Sequence, residues 1–199
     1  MKKKNKFIQL KDFHTVEKRK ICLVGEAAVG KTSLINRYVK NVFDDLYITT
    51  IGTVVSKKEI ILKLQEQKIK VKAVLMIWDI MGQKSFRTLL KDAYFDGAQG
   101  ILAVCDITRK KTLNELKGWV DSVINITGKI PIVFLANKCD LDEAEVTFDD
   151  LKQAAREYGD YPCFLTSAKD GSNVEEVFEK VARMIIAPPI EEALSFIKK

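Results

Sequence analysis

The sequence predicts an α/β fold in which helices cover both faces of a mostly parallel sheet. From Lys20 onward, apolar strands alternate with helical stretches of about 12–15 residues, the pattern of parallel sheets covered by helices. Two of the strands are separated only by the polar turn Gln65–Lys68, which is too short for a crossover helix and predicts an antiparallel hairpin. A chain of 199 residues with 47% hydrophobic residues is long enough for one domain with a full core.

Each predicted element is a run of apolar residues with the period of a strand or a helix. Pro188-Pro189 predicts the end of the last helix, because proline removes a backbone donor. We therefore expect a basic extension at 1–17, one folded domain at 18–187 and a short tail at 188–199. In order, six strands are expected at Lys20–Val24, Lys57–Leu64, Ile69–Asp79, Gly100–Asp106, Ile132–Asn137 and Cys163–Thr166, and five helices at Gly30–Lys40, Gln83–Phe95, Thr112–Thr127, Phe148–Tyr158 and Val174–Ile186.

The net charge of +6 is located in the first 20 residues, which hold eight Lys or Arg and two acids. The remaining 179 residues carry 25 charges of each sign, so the folded body offers no basis for nucleic-acid binding. No apolar run approaches the roughly 18 residues of a membrane span, and no signal peptide is evident. We therefore expect a cytoplasmic protein.

Its four cysteines are interpreted mainly as buried reduced thiols, with disulfides or zinc as alternatives.

A phosphate-binding loop is predicted at Gly25–Thr32, where a short apolar strand runs through GEAAVGKT into a helical pattern. Glycine at 25 and 30 lets the backbone curl so that several N–H groups point into one concavity, and the helix adds its positive N-terminal end. Lys31 is expected to reach the β- and γ-phosphates. The Thr32 hydroxyl is expected to bind Mg²⁺.

The base is predicted from Asn137-Lys138-Cys139-Asp140, which follows an apolar strand. Guanine presents two donors on one edge, N1–H and the N2 amine, and one carboxylate can accept both. Adenine would leave Asp140 unpaired, at a cost that gives strong discrimination. Asn137 is expected to join this loop to the phosphate loop, and Lys138 to lie along the base. Ser167-Ala168-Lys169 adds a backbone N–H at Ala168 for guanine O6.

Two further segments are expected at the γ-phosphate. In the run WDIMGQ, Asp79 is expected to hold Mg²⁺ through water, Gly82 N–H to bind the γ-phosphate, and Gln83 to orient the attacking water. Asp79 also suits the N-cap of the following helix, and the two roles are compatible. Thr50, in an irregular segment, is expected to close over Mg²⁺ and the γ-phosphate while GTP is bound.

These motifs resemble the Ras-like small GTPases, especially their Rab branch, over about residues 18–186. The stretches that carry the resemblance are GEAAVGKTSL, TTIG, WDIMGQKSFRTL, DGAQGILAVCDIT, NKCDL and TSAK, in family order. The resemblance implies a P-loop NTPase G domain with six strands and five helices. It also implies Mg²⁺-dependent GTP binding, slow hydrolysis, exchange factors, activating proteins and effectors that bind switch segments 43–54 and 79–92.

Some of the residues expected to bind nucleotide belong to the motifs above, and others are implied by the resemblance. Among the latter, Phe43 corresponds to the family's aromatic residue that packs on guanine. Gln83 and Lys31 are the expected catalytic residues, and Thr32, Thr50 and Asp79 the expected metal ligands. The expected GTP-binding set is Glu26, Ala27, Ala28, Val29, Gly30, Lys31, Thr32, Ser33, Phe43, Tyr47, Thr50, Asp79, Gly82, Asn137, Lys138, Asp140, Ser167, Ala168 and Lys169.

Three departures from the Rab pattern bear on activity. Ile80 and Met81 replace a small Thr-Ala pair, and Lys84 replaces an acid. Ala27 and Ala28 occupy positions where Gly or Ser is frequent. We therefore expect slow intrinsic hydrolysis. The third departure is a last stretch without prenylation cysteines, and no myristoylation signal occurs.

Two functions are alternatives to a cycling switch, and only the first of them follows from these departures. A constitutively GTP-bound interaction module would use the same fold without cycling, whereas an ATPase or nucleotide kinase is disfavoured by Asn137 and Asp140.

The lysine-rich start, with Phe7 and Phe13 among its apolar residues, suits an anionic membrane surface, but a soluble extension is the favoured interpretation.

Overall fold

The computed structural model describes residues 17–44, 50, 52–64, 69–83 and 91–197. Six strands form one sheet in the order β2-β3-β1-β4-β5-β6. The strands are β1 Glu17–Val24, β2 Thr53–Leu64, β3 Ile69–Ile80, β4 Gly100–Asp106, β5 Ile132–Asn137 and β6 Cys163–Thr166; the helices among the described residues are α1 Lys31–Lys40, α2 Lys91–Phe95, α3 Lys110–Asn114, α4 Leu116–Thr127, α5 Phe148–Arg156 and α6 Val174–Ile197.

The sheet confirms the predicted fold class. β2 and β3 pair antiparallel over their whole length, from Thr53 opposite Ile80 to Leu64 opposite Ile69. Every other neighbouring pair is parallel. In such a sheet, the carboxyl ends of β1, β3, β4, β5 and β6 meet at one edge, and the loops that follow them gather there. This edge is where the predicted motifs begin.

Two apolar clusters, one on each face, hold the helices against the sheet. Alternate β1 side chains point to opposite faces, so Ile21 and Leu23 join the cluster beneath α1 and α6, whereas Cys22 and Val24 join the cluster beneath α4 and α5. All residues of β4 and β5 are buried, as expected for central parallel strands covered on both sides.

The last helix contradicts the prediction that it ends at Ile186. α6 continues through Pro188 and Pro189 to Ile197. Two backbone donors are missing there, which normally ends a helix. Apolar burial offsets this loss, because Ile186 is fully buried and Ala187 and Ile190 pack against the core. The predicted boundary at 188 therefore does not coincide with a break in secondary structure.

Other boundaries differ by smaller amounts. The predicted helix Thr112–Thr127 begins at Lys110 and is divided at Glu115 into α3 and α4. The helix predicted to reach Tyr158 ends at Arg156. Of the predicted helix Gln83–Phe95, only Lys91–Phe95 appears in the structure as a helix, because residues 84–90 lie outside the described part of the chain.

The four cysteines are free thiols, of which Cys22 and Cys105 are buried and Cys139 and Cys163 half-buried. Burial raises the pKa of both Cys22 and Cys105 to about 12, so these two thiols are poor nucleophiles. Within the described ranges, no cluster of His, Cys, Asp and Glu has the composition of a metal site. In the same ranges, no helix combines the length and apolar character needed to cross a membrane.

Candidate functional site

A cleft of about 890 Å³ opens at the edge where the parallel strands end. It brings most of the predicted site residues together. Those that line it are Ala27, Ala28, Gly30, Lys31, Thr32, Ser33, Phe43, Thr50, Asp79, Gly82, Gln83, Asn137, Lys138, Asp140, Ala168 and Lys169. Three predicted residues, Glu26, Val29 and Ser167, are absent from this lining. Tyr47 lies outside the described residues.

The loop between β1 and α1 depends on glycine at both of its ends. Gly25 has φ 140° and Gly30 has φ 95°, values that disfavour other residues. A Cβ on Gly25 would lie 2.1 Å from Val104 O, and one on Gly30 would lie 2.2 Å from Asn137 Nδ2. Ala28 also has a positive φ, 60°, although it carries a methyl group. Such a left-handed alanine costs about 1–2 kcal/mol.

The ammonium group of Lys31 is held inside this loop. Its Nζ donates hydrogen bonds of 2.8 Å to Gly25 O and Glu26 O, and the residue is only 6% exposed. Burial lowers the pKa of Lys31 to about 8, although the charges of Asp79 and Glu26 oppose this shift. An ammonium has three donors, so one more is available for an anionic ligand in the cleft.

Glu26 and Val29 contribute to the loop from outside the cleft. The Glu26 carboxylate accepts a hydrogen bond of 3.0 Å from Trp119 Nε1 on α4, which directs this side chain away from the cleft. The Val29 side chain is fully buried, and its carbonyl accepts a 2.9 Å bond from Asn137 Nδ2. Both residues therefore anchor the loop to neighbouring elements.

Three oxygen-bearing side chains meet at the start of α1. Thr32 Oγ1 donates to Asp79 Oδ2 at 2.6 Å and lies 2.9 Å from Thr50 Oγ1, and Thr50 Oγ1 is 3.3 Å from the same carboxylate oxygen. The other oxygen, Asp79 Oδ1, is buried without a hydrogen-bond partner. Burial raises the pKa of Asp79, although Thr32 and Lys31 oppose this. These hard oxygen ligands, with one carboxylate oxygen unsatisfied, fit a bound Mg²⁺ ion.

The segment after β3 packs directly on the loop between β1 and α1. Met81 N donates to Gly52 O at 3.2 Å. A Cβ on Gly82 would lie 2.5 Å from Ala27 N and from the Glu26 carbonyl carbon, so no larger residue fits without a backbone shift. Gln83 follows, exposed at the rim of the cleft.

The opposite end of the cleft is built from the ends of β5 and β6. Asn137 is buried, and Thr166 Oγ1 donates to its Oδ1 at 3.2 Å while Asn137 Nδ2 binds Val29 O. Ser167 Oγ donates to Asp140 Oδ1 at 2.6 Å and accepts bonds of 3.2 Å from the N–H groups of Lys169 and Asp170. Thus Ser167 positions Asp140 and orders its own loop.

A charge network centred on the buried Asp106 links both ends of the cleft, and sequence reasoning missed it. Asp106, at the end of β4, accepts hydrogen bonds from Lys138 Nζ at 2.6 Å and Arg109 Nε at 2.9 Å. Arg109 also donates to Ala27 O at 3.2 Å. Burial acts to raise the pKa of Asp106, but hydrogen bonds from Lys138 and Thr108 outweigh it, and the net shift is downward. One sequence signal could have indicated Asp106: it is an acidic residue at the carboxyl end of a predicted parallel strand, the edge where such sheets bind ligands.

Arg37 is a second residue that no motif indicated. It lies on α1, and its Nε donates to Ala168 O at 2.8 Å while its Nη2 donates to Lys169 O. Because it stands 131 residues before Ala168 in the chain, neither spacing nor local pattern could have predicted the contact.

Comparison with known proteins gives consistent matches over this whole region. The family model described as the Ras family matches residues 20–187. The chain is 37% identical to Ras-related protein Rab-13 of Canis lupus familiaris over 84% of its own length and 79% of that protein. It is also 37% identical to Ras-related protein Rab-8B of Homo sapiens, over 84% and 78% of the two chains. Ypt/Rab-type GTPase YPT7 of Saccharomyces cerevisiae is 34% identical over 82% and 79%.

Proposed function

Because this chain belongs to the Ras family and to its Rab branch of GTPases, we propose that it is a switch that binds GTP and GDP with Mg²⁺, hydrolyses GTP slowly and recruits effector proteins. The observation that carries the proposal is the meeting, in one cleft, of two chemically different half-sites. One half-site offers an ammonium and a helix N-terminus, which suit phosphates. The other offers the acceptor Asp140 beside the Ala168 backbone, which suits guanine.

The phosphate end of the cleft has two functions, phosphate binding by Lys31 and Mg²⁺ binding by Thr32, Thr50 and Asp79. Lys31 Nζ neutralises charge on the β- and γ-phosphates, and the loop carbonyls that it already binds keep it in place. Thr32, Thr50 and Asp79 would hold Mg²⁺, which when bound supplies positive charge that stabilises the phosphate oxygens. Gln83 orients the attacking water, and the Gly82 N–H binds the γ-phosphate.

At the base end, the Asp140 carboxylate accepts the N1–H and N2 amine of guanine. The Ala168 N–H donates to O6, and Phe43, half-buried at the cleft, packs on the ring. Lys138 lies along the base while its ammonium binds Asp106. The carboxylate gives the preference over adenine, which would leave it unpaired.

The nucleotide that accompanies the purified protein tests the central claim. We expect GDP or GTP to be released on heat denaturation and separated by ion-exchange chromatography. We also expect GDP, but not ADP at the same concentration, to displace labelled GDP. Displacement by ADP as effective as that by GDP would contradict guanine binding.

Slow hydrolysis is supported by the close packing around Gly82. Gly82 packs closely on Ala27 and Glu26, and the bulky side chain of Met81 is half-buried at the cleft beside it, where it restricts the backbone movement that repositions Gln83. In single-turnover assays, Met81→Ala is expected to hydrolyse bound GTP faster than the unchanged chain. Equal and measurable turnover would remove Met81 as the cause. No turnover by either chain would favour the alternative of a constitutively GTP-bound module.

Effector recruitment is supported by an exposed apolar side chain at the start of β2. Val54 is 54% exposed and lines the cleft together with Thr50. A protein that contacts Val54 and Thr50 together can distinguish GTP from GDP. Effector binding at segments 43–54 and 79–92, and regulation by exchange factors and activating proteins, are parts of the same proposal. A pull-down with GTP-analogue-loaded and GDP-loaded chain tests it, and equal capture in both states argues against a switch.

The basic extension at 1–17 forms a separate part of the proposal, and residues 1–16 lie outside the described structure. We expect the protein in the cytoplasm, with the lysine-rich start as its one candidate for contact with anionic membrane. Co-sedimentation with phosphatidylserine vesicles, with and without residues 2–13, tests this contact. Equal sedimentation of both chains would end the membrane interpretation.

A further inference from the structure

Helix α1 reaches from the phosphate end of the cleft to the base end. It begins at Lys31 and Thr32, and about one and a half turns later the Arg37 side chain extends from the helix toward the loop after β6. The Arg37 guanidinium donates to two successive carbonyls, Ala168 O and Lys169 O, and its Nη1 lies 3.3 Å from Asn41 Oδ1. Guanidinium is a planar, permanently charged fork, and it can hold two acceptors in a defined geometry as an ammonium cannot.

The two carbonyls belong to peptide groups that are also held from their other side. The peptide between Ala168 and Lys169 and the peptide between Lys169 and Asp170 both direct their N–H groups to Ser167 Oγ, at 3.2 Å each. Because a peptide group is planar, an acceptor contact at one edge and a donor contact at the other fix its rotation. The same Ser167 Oγ donates to Asp140 Oδ1. Arg37 thus stands at one end of a continuous chain of bonds that ends on Asp140.

We propose that Arg37 is a positioning residue for base specificity, which keeps the Ala168 N–H and the Asp140 carboxylate directed at guanine. This inference rests on the proposed function, because it requires a guanine nucleotide in the cleft. Arg37 itself does not line the cleft, so it acts through the loop after β6. Since α1 also carries Lys31 and Thr32, the contact joins recognition of the base to the helix that binds the phosphates.

The alternative is that Arg37 only stabilises the fold, as surface arginines often do. Arg183 provides a matched control for that role. It lies on α6, and its Nη1 donates to a backbone carbonyl, Lys63 O, at 2.8 Å; neither Arg183 nor Lys63 lines the cleft. Removing either guanidinium deletes charged hydrogen bonds to backbone carbonyls. Only the Arg37 contacts lead to the guanine-facing loop.

The test compares Arg37→Met, Arg37→Lys and Arg183→Met with the unchanged chain in their dissociation constants for GDP and 6-thio-GDP. The analogue keeps the N1–H and N2 amine but replaces O6 by sulfur, a weaker acceptor. In Arg37→Met we expect GDP to bind about ten-fold more weakly, and the preference for GDP over 6-thio-GDP to fall by a similar factor. Arg37→Lys should be intermediate, because a point donor cannot hold both carbonyls. Arg183→Met should match the unchanged chain.

A preference for GDP over 6-thio-GDP that is unchanged in Arg37→Met overturns the inference, whatever happens to its melting temperature. If Arg37→Met does not fold, Arg37→Lys carries the comparison, since it keeps the charge and most of the stem. Failure of the proposed function has a different signature, because the unchanged chain would then bind ADP as well as GDP.

Discussion

At the scale of single residues, Asp140 is the group on which the proposed preference for guanine depends. Asp140→Asn replaces one carboxylate oxygen by an amide donor that would face the N2 amine of guanine. We expect GDP to bind about 100-fold more weakly, because a charged hydrogen bond is lost and two donors oppose each other. Xanthosine diphosphate should bind better than it does to the unchanged chain, since its O2 carbonyl accepts from the new amide. Titration with labelled nucleotides measures both constants.

The control for this substitution is Asp142→Asn, two residues further along the same loop. Asp142 is exposed and does not line the cleft, so this change removes an equal charge without touching the base site. GDP affinity should be the same as in the unchanged chain. A loss of GDP affinity equal to that of Asp140→Asn would mean that net charge, and not recognition of N1–H and the N2 amine, decides binding.

Gly30 offers a second prediction, with Gly97 as its matched control. Both have positive φ, 95° and 69°, so alanine strains the backbone at either position. Only Gly30→Ala also places a methyl 2.2 Å from Asn137 Nδ2, whereas a methyl on Gly97 meets no atom within 4 Å. We expect Gly97→Ala to lower the free energy of unfolding by about 1 kcal/mol and to leave GDP affinity unchanged. Gly30→Ala should in addition weaken GDP binding at least ten-fold, because Asn137 must leave Val29 O.

Urea unfolding and GDP titration of the two variants separate strain from displacement. Equal GDP affinity in Gly30→Ala and Gly97→Ala would show that the contact between Asn137 and the loop does not shape the nucleotide site.

At the scale of elements, sequence patterns located the buried strands best. The limits of β4, β5 and β6 were predicted to the residue, because apolar runs end there at polar motif residues. The first residues of β1 are Glu17, Lys18 and Arg19, and their pairing with Ala73–Leu75 of β3 gives no apolar signal. α6 is longer than predicted, because burial of Ile186 and partial burial of Ile190 stabilise the helix by more than the two prolines destabilise it. That balance depends on tertiary packing.

The candidate site shows the same difference between local sequence patterns and long-range contacts. Residues within contiguous motifs, such as Lys31, Thr32 and Asp140, were predicted because each motif implies one chemistry. Arg37, Asp106 and Trp119 were missed, because their roles depend on contacts across large sequence separations. Such contacts exist only once the sheet order brings the strand ends together.

The start of α5 supplies a prediction about pH. Thr147 and Asp150 form a capping box, and Lys110 on α3 lies 2.6 Å from Asp150 Oδ1, so this carboxylate joins two helices. The Lys110 ammonium, together with the hydrogen bonds from Thr147, lowers the pKa of Asp150 to about 2. A carboxyl whose folded pKa is depressed contributes stability above its unfolded pKa, near 4, and loses it as the pH falls toward 2.

We therefore expect Asp150→Asn to unfold at lower temperature than the unchanged chain at neutral pH, with the difference shrinking between about pH 4 and pH 2. Asp149→Asn is the control, since the Asp149 side chain is 93% exposed and its ion pair with Lys152 is long, at 3.8 Å. Thermal unfolding followed by circular dichroism measures both. A difference for Asp150→Asn that is independent of pH would contradict the role assigned to its charge.

At the scale of the whole molecule, a bound nucleotide would connect elements that are far apart in sequence. The cleft joins the ends of β1, β3, β5 and β6 with Phe43 and Thr50. It contains buried polar groups that a ligand can bind, above all Lys31 and Asp79 Oδ1, which has no hydrogen-bond partner. Binding to the folded state alone stabilises it by mass action, about 4 kcal/mol at a ligand concentration 1,000 times Kd. For a domain of this size, that corresponds to a rise in Tm of roughly 10 °C.

Removing nucleotide and Mg²⁺ should therefore lower the Tm of the whole domain in one cooperative step, because described loops that line the cleft follow β1, β3, β5 and β6, which belong to one sheet. We expect dialysis against excess EDTA without nucleotide to produce the drop, and Mg²⁺ with GDP to reverse it, whereas Mg²⁺ with ADP does not. In Asp140→Asn, xanthosine diphosphate should restore Tm where GDP fails, which ties the stability of the domain to recognition of the base. Equal restoration of the unchanged chain by ADP and GDP would place the stabilising contacts at the phosphates alone.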